Sequence, residues 1–300
     1  ENIYLTKQKT AFSFSGYSKI EKISPSLQII WSKEISNRVN NNSLYIPTNL
    51  YYNNTNNKLY LWGAFNNTVN ILGNIFSTNQ SSLIFQSLLS EFNVSNGDLE
   101  RISRFDNSST GNLPGVSGSS HGNTAFFSHK NNDLYILSSF TRTMNFNNQS
   151  VTSASFLDGG ITYYGEDLVL FKVNLTNFNN EFILKSNNQT PFINSYSKDY
   201  AGPILFNNDD LYITSTFRSK PIEINSTVIN NNSGNQNSDV LFYKLNINQI
   251  NSGEIIVNNT CINELTLFNL SGSFDSIVWD FGDPLSSNNS AVGINNPTHQ

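Results

Sequence analysis

A single cysteine, Cys261, in 300 residues leaves no internal disulfide to be made and too few thiolates for a Cys-based structural zinc site. Charge is scarce too. Asp, Glu, Lys and Arg make up 13% of the chain and sum to −5, so there is no broad positive field to release counterions from nucleic acid, and nucleic acid is not expected as a partner. No apolar run approaches the roughly 18 residues of a spanning helix. No stretch carries a convincing 3.6-residue amphipathic period, which argues against a helical solenoid. Poverty in cysteine suits an exported protein. Glu1 begins inside sequence that already reads as folded, so a longer parent chain or a removed leader is expected.

What is present is Asn, Ser and Thr in abundance, punctuated by 22 Phe and 13 Tyr. Runs such as Asn40 to Ser43, Asn53 to Asn57 and Asn230 to Ser233 would look disordered alone. Apolar segments recur between them at regular intervals, so they read as loops between strands.

Three copies of one pattern overlay: Leu59-Tyr60-Leu61-Trp62-Gly63-Ala64-Phe65, Leu134-Tyr135-Ile136-Leu137-Ser138-Ser139-Phe140 and Leu211-Tyr212-Ile213-Thr214-Ser215-Thr216-Phe217, spaced by 75 and 77 residues. Each follows an Asn or Asp pair (Asn56-Asn57, Asn132-Asp133, Asp209-Asp210) and, before it, a short apolar stretch, Leu44 to Tyr52, Thr124 to Ser128 or Pro203 to Phe206. Strand, polar turn, strand is a hairpin signature. Roughly 30 residues after the second and third hairpins come Asp167 to Asn174 and Asp239 to Asn246, each followed by a turn and a last strand, Glu181 to Leu184 or Glu254 to Val257. The copy after the first hairpin reads as degenerate, Ser82 to Leu88. Upstream lies an incomplete unit, with Ile3-Tyr4-Leu5 matching the Tyr-bearing strand and Lys19 to Ser24 and Gln28 to Trp31 matching the second half.

Each repeat thus supplies about four strands rich in β-branched and aromatic residues. A four-stranded sheet cannot cover both of its faces alone, and a self-similar unit of this kind is the sequence form of a propeller blade. A β-sandwich is the competing reading. The expected fold class is all-β: propeller blades of four-stranded antiparallel sheets over 1–257 (a partial blade 1–38, then blades at about 44–105, 122–186 and 202–257), followed by a truncated immunoglobulin-like sandwich over 258–300.

The repeats resemble the bacterial beta-propeller repeats of Bacteroidetes surface proteins, in which a Tyr-containing strand ends in Gly-x-Phe, a further strand carries Asp and Lys, and the last strand carries Trp. Tyr60, Gly63 and Phe65 match in the first full copy, Tyr135, Phe140, Asp167 and Lys172 in the second, and Tyr212, Phe217, Asp239 and Lys244 in the third, with Trp31 in the partial unit. Ser stands in place of Gly at 138 and 215, and the first full copy lacks the Asp and Lys. Three and a half blades do not close a ring, so further blades are expected before Glu1.

From Asn258 the pattern changes. Cys261 to Ser271 alternates in part, a Gly-Ser turn follows, and Ser276-Ile277-Val278-Trp279-Asp280-Phe281-Gly282-Asp283 and Asn296-Pro297-Thr298-His299 close the chain. This resembles a PKD domain, with Trp279, Asp280, Gly282 and Asp283 in its hallmark strand and turn and Pro284 replacing the usual Gly. The resemblance implies that Trp279 packs between two sheets and that Gly282 makes a tight turn.

Chemistry-bearing residues are few. His121 and His129 lie eight apart, which is no standard ligand spacing, and a satisfied histidine outweighs a metal ligand there. Gly115-Val116-Ser117-Gly118-Ser119 lacks the closing Gly of a nucleophile elbow, and Asp280-Phe281-Gly282 has none of the other kinase elements around it. The pairs Asp209-Asp210 and Glu166-Asp167 would suit Ca2+ as acidic turns, against the plainer reading of solvated turns. Asp275-Ser276-Ile277 resembles a Bacteroidetes O-glycosylation sequence, which makes Ser276 a modification candidate.

No catalytic, cofactor or metal residue is therefore assigned, and the chain is read as non-enzymatic. The resemblances imply an extracellular or outer-surface adhesion or scaffold protein exported by the type IX route, serving attachment or gliding motility. Its partners would be a surface protein or glycan and the secretion or motility machinery. The alternative is the carbohydrate-binding accessory region of a secreted multidomain hydrolase; a catalytic propeller would need carboxylates or histidines clustered at a ring axis.

Overall fold

The computed structural model describes residues 2–8, 17–38, 44–77, 86–105, 125–141, 143–147, 149–158, 161–188, 199–218, 221–224, 227–230, 239–247, 255–258, 266–270, 278–280, 289–294 and 297–299. Every regular element among them is a β-strand, and all the printed pairings are antiparallel, as the all-β reading expects. The chain divides into two compact units, one formed by 1–206 with 213–243 and the other by 207–212 with 244–300.

In the first unit, β1 (Ile3–Gln8), β2 (Tyr17–Ile23) and β3 (Ile29–Arg38) pair in sequence order. Next come β4 (Leu44–Asn53), β5 (Lys58–Asn66), the short hairpin β6 (Thr68–Ile71) and β7 (Asn74–Ser77), then β8 (Gln86–Asn93) and β9 (Leu99–Phe105). Strands β4-β5-β8-β9 form a four-stranded meander. The third strand of this repeat is thus Gln86–Asn93 and not Ser82 to Leu88 as the sequence suggested: Tyr60 pairs with Glu91, just as Tyr135 pairs with Lys172 in the next repeat. Glu91 hides the match by standing where the motif has Lys.

The second repeat follows with β10 (Ala125–Lys130), β11 (Asp133–Thr141), the hairpins β12 (Thr143–Asn145) with β13 (Ser150–Thr152) and β14 (Ser155–Asp158) with β15 (Ile161–Tyr164), then β16 (Glu166–Asn174) and β17 (Asn180–Asn188). The third supplies β18 (Tyr200–Asn207), β19 (Asp210–Phe217), the hairpin β20 (Ile222–Ile224) with β21 (Thr227–Ile229), and β22 (Asp239–Asn246).

The short hairpins have a second use. Instead of lengthening their own sheet, β6-β7 pairs with the end of β3, with Ser36 opposite Ile71, and β20-β21 pairs with the end of β17, with Ser186 opposite Ile224. Each repeat thus reaches back and adds two strands to the sheet before it, covering an outer edge that would otherwise present unpaired N–H and C=O groups.

The outer strands share two features. In β2-β3, β8-β9 and β16-β17 the register slips once, and such bulges sharpen the local twist. The turn into the outer strand is built the same way each time: Leu27, Gly97 and Phe178 sit at φ 62°, 73° and 63° and donate their N–H to the carbonyls of Ser24, Asn93 and Asn174. Left-handed Leu and Phe are uncommon, and here closure of the turn holds them.

Strand β5 is apolar on both sides because both sides are covered. Leu59, Leu61 and Phe65 join Ile20, Ile35, Leu88 and Phe92 in a core against the preceding sheet, whereas Tyr60 and Trp62 join Phe105, Ile136, Phe140 and Phe171 in a core against the following one. In β19 burial alternates strictly, with Leu211, Ile213 and Phe217 buried and Tyr212, Thr214 and Thr216 only half-buried. Threonines at 214 and 216 mark the difference in the sequence itself, since a strand covered on one face reads as alternation and one covered on both as a continuous apolar run.

Strands β18-β19-β22 form a three-stranded sheet. The segment expected as its fourth strand, β23 (Ile255–Asn258), pairs instead with β24 (Thr266–Leu270), Ile255 opposite Leu270, and β24 also pairs with β27 (Thr298–His299). Its Ile-Ile-Val run finds an equally apolar neighbour in the Thr-Leu-Phe-Asn-Leu strand. The remaining hairpin of the second unit joins β25 (Val278–Asp280) to β26 (Ser290–Val292).

Candidate functional site

The motif residues lie in the interior, and each has a direction. In both full repeats the Phe side of the second strand faces the preceding sheet: Phe65 lies in the core shared with β1-β2-β3, and Phe140 in the core shared with β5. The Tyr side faces forward. Tyr60 enters the core with the second repeat, and the Tyr135 ring meets Phe206 of the third edge-on at 4.8 Å. Phe217 is buried and Tyr212 half-buried. Gly63 is required by its neighbour: a Cβ there would come within 2.6 Å of three atoms of the Tyr45 phenol ring.

Lys172 and Lys244 serve as partners on the sheet. Lys172 pairs with Glu181 of the adjacent strand at 3.1 Å, and Lys244 with Asp210 at 2.7 Å, a contact that raises the pKa of the Lys244 ammonium. Beside them Asn174 donates to Asp133 and Asn246 to Asp210, both at 3.2 Å. In the first full repeat Lys58 occupies the Asp position, and the acceptor has moved to the outer strand. Glu100 receives both Lys58 and Asn93 there, and the lysine holds its carboxyl below the usual range. The missing Asp and Lys of that copy are thus replaced by an ion pair of opposite layout.

Neighbouring repeats are joined at one recurring point. The Trp31 indole N–H donates to the Val94 carbonyl at 2.9 Å, and Arg101, which holds the same register position one repeat later, donates to the Leu175 carbonyl at 2.8 Å. Lys22 also reaches Val94, and Arg101 also reaches Thr176. Arg101 grips buried Glu91 with two hydrogen bonds, at 2.9 and 2.6 Å, while its guanidinium lies 4.5 Å from the centre of the Phe178 ring. Sequence reading found Trp31 and missed Glu91 and Arg101, because charged residues in alternating strands read as solvent-facing. The Arg three positions past an Asp-Leu-Glu turn was the signal available.

His129 is held at both ring nitrogens, Nδ1 by Tyr51 and Nε2 by Thr55, and burial lowers its pKa. The acidic pairs considered for Ca2+ are engaged within the fold. Asp167 is fully buried and accepts from the Ala154 N–H at 2.7 Å, Glu166 is buried, and Asp210 meets Lys244 and Asn246. Among the described residues no three His, Cys, Asp or Glu converge as metal ligands, and no helix is long and apolar enough to cross a membrane. Burial pushes the Asp167 carboxyl up to about 6, offset in part by the Ala154 N–H and by Lys185 at 4.0 Å.

In the second unit Trp279 is buried and donates to the Ile294 carbonyl at 2.7 Å, and Asp280 lies opposite Ser290. Gly282, Asp283, Ser276, Cys261, His121 and the Gly115 to Ser119 stretch lie outside the described residues.

One aromatic group faces water. Tyr52, 41% exposed, lies 5.2 Å from Tyr4, whose ring is 6.5 Å from Trp31 and 5.8 Å from the Lys22 ammonium. Burial, then the neighbouring Tyr52, raises the Tyr4 phenol, and Asn57 accepts from the Tyr52 hydroxyl at 3.0 Å. No family model matches the chain, and no curated protein matches it.

Proposed function

We propose that this chain is a non-catalytic scaffold of an outer cell surface, in which the stacked sheets are propeller blades and the last segment is a PKD-type module. The observation that carries the reading is directional: in successive repeats the motif Phe seals the interface behind and the motif Tyr the interface ahead, so each sheet depends on its neighbours for cover. Buried Trp279, bound to a carbonyl of the neighbouring segment, supports the PKD-type module. Low charge, Asn-rich turns and a lone cysteine support export. Type IX secretion and a role in attachment or gliding rest on the repeat resemblance.

The ligand platform is the Tyr4–Tyr52 pair with Lys22 and Asn57 beside it, since exposed rings flanked by polar groups stack on sugar faces and hydrogen-bond the hydroxyls. The same pair supports a second reading, a carbohydrate-binding accessory region of a secreted hydrolase. Binding to an immobilised oligosaccharide panel and to whole cells, with Tyr52→Ala as control, tests both. Retention on cells or glycans that the variant reduces about tenfold supports a binding surface. Failure to bind either, or binding indifferent to Tyr52, overturns it.

A further inference from the structure

Both ends of the first unit's stack show an interface residue left uncovered. At the front position, Ile20, Leu89 and Leu170 hold the same register point in three successive sheets and are each 0% exposed. By the alignment of Asp167 to Asn174 with Asp239 to Asn246, Phe242 holds that point in the third repeat, and it is 66% exposed, with Val240 beside it at 76%. At the rear the mirror case occurs. Leu59 and Leu134 are fully buried, whereas their register equivalent Ile3 is 44% exposed; Leu61 and Ile136 are likewise buried, whereas Leu5 is 39% exposed.

The rear residues form a row. Ile3 lies opposite Ile23, and Ile23 opposite Ile29, so three side chains stand abreast across β1, β2 and β3. Their equivalents Leu59, Phe92 and Leu99 make up the surface that packs on the sheet before it. Beside the row, Glu21 is met by Lys19 and by Ser32, so no unpaired charge stands against apolar cover.

We propose that a second copy of this chain supplies the cover, head to tail, with the Val240–Phe242 face of one copy seated on the Ile3–Ile23–Ile29 row of the next. This deepens the blade reading and rests on it: the sheets needed to continue the ring come from another copy. The contact prolongs an interface the chain already makes within itself, front of β1-β2-β3 on rear of β5-β8, and front of β5-β8 on rear of β11-β16. Because the two surfaces differ, the interface is heterologous and yields a closed ring or an open series.

Sedimentation of the chain across a wide concentration range tests this, with Phe242→Ser and Ile29→Ser as variants. Both residues are exposed, so neither change empties a core. Mass rising with concentration is expected, and each variant alone should weaken association about tenfold or more. A mixture of the two should form a one-to-one dimer, since one retains the rear and the other the front. A monomer at every concentration overturns the proposal, as does association that ignores both variants or a mixture no different from its parts. The contacts between repeats of one chain would survive any of those results, and so would the blade reading.

Discussion

The six-membered ring of Trp31 lies where a side chain on residue 97 would begin: a Cβ on Gly97 would stand 2.9 Å from ring carbons Cε3 and Cζ3. One repeat later the bulk is exchanged. The turn residue is Phe178 and the strand residue is Arg101, whose guanidinium covers the Phe ring. Each junction holds one aromatic ring, taken from the strand in one case and from the turn in the other, and each keeps a donor aimed at the same carbonyl.

Gly97→Ala is therefore expected to cost about 1–3 kcal/mol in urea unfolding, from the overlap and from the left-handed φ that Gly97 adopts. Gly97→Phe should cost more. Adding Trp31→Arg to Gly97→Phe should recover a large part of that loss by reproducing the Arg101–Phe178 arrangement; a double variant no better than the sum of the two singles would show that the junctions are not interchangeable.

The Glu91–Arg101 pair makes a second prediction. Glu91 is buried and Arg101 is its bidentate partner, so Arg101→Met should destabilise on the order of 3 kcal/mol by leaving a carboxylate without its cation. Arg101→Lys should recover only part, because an ammonium cannot bridge both carboxylate oxygens and the Leu175 carbonyl together. Glu91→Gln with Arg101→Met should be more stable than Arg101→Met alone, which equilibrium unfolding of the three variants measures.

What the sequence made legible follows from how loudly each feature is written. The Tyr and Phe strands and their Asn-built turns stand out because β5, β11 and β19 concentrate large apolar residues between polar pairs, and Asn131 and Asn208 take the left-handed φ that such turns need. The hairpins β6-β7 and β20-β21 stayed hidden because strands of three or four residues carry too few side chains for periodicity to register. Strand β23 was assigned to the wrong neighbour for a different reason. Ile-Ile-Val says that the segment is a strand and nothing about which edge it joins. The aromatic pair Tyr4–Tyr52 was equally silent, since its members come from separate sheets.

The reaching hairpin of the third repeat can be tested by exchange. Ile222 and Ile224 are buried and bring β20 against Ser186 to Asn188, so Ile224→Asn should detach the hairpin and raise amide exchange in the 186–188 segment at least about tenfold. Exchange should stay unchanged in β11, which lies elsewhere in the same sheet. Uniform acceleration of the whole sheet would mean that the hairpin is part of the core and not a cover on its edge.

Asp167 sets a pH dependence whose sign is opposite to that of a salt-bridged carboxylate. Its folded pKa of about 6 exceeds the model value of 3.8, so between those limits the native state holds a proton that the unfolded chain has released. Stability from this group is therefore fully present below about pH 4, declines as pH rises toward 6, and is absent above it, a difference on the order of 2–3 kcal/mol. Asp167→Asn keeps an oxygen for the Ala154 N–H and removes the titration, so it should stabilise the protein at pH 7 and match the wild type near pH 4. Other carboxylates titrate in the same range, and subtracting the variant's pH profile from the wild type's removes them. A difference curve that is flat from pH 4 to 7, or one that rises in favour of the wild type, would mean that Lys185 and the local hydrogen bonds outweigh the burial of the charge.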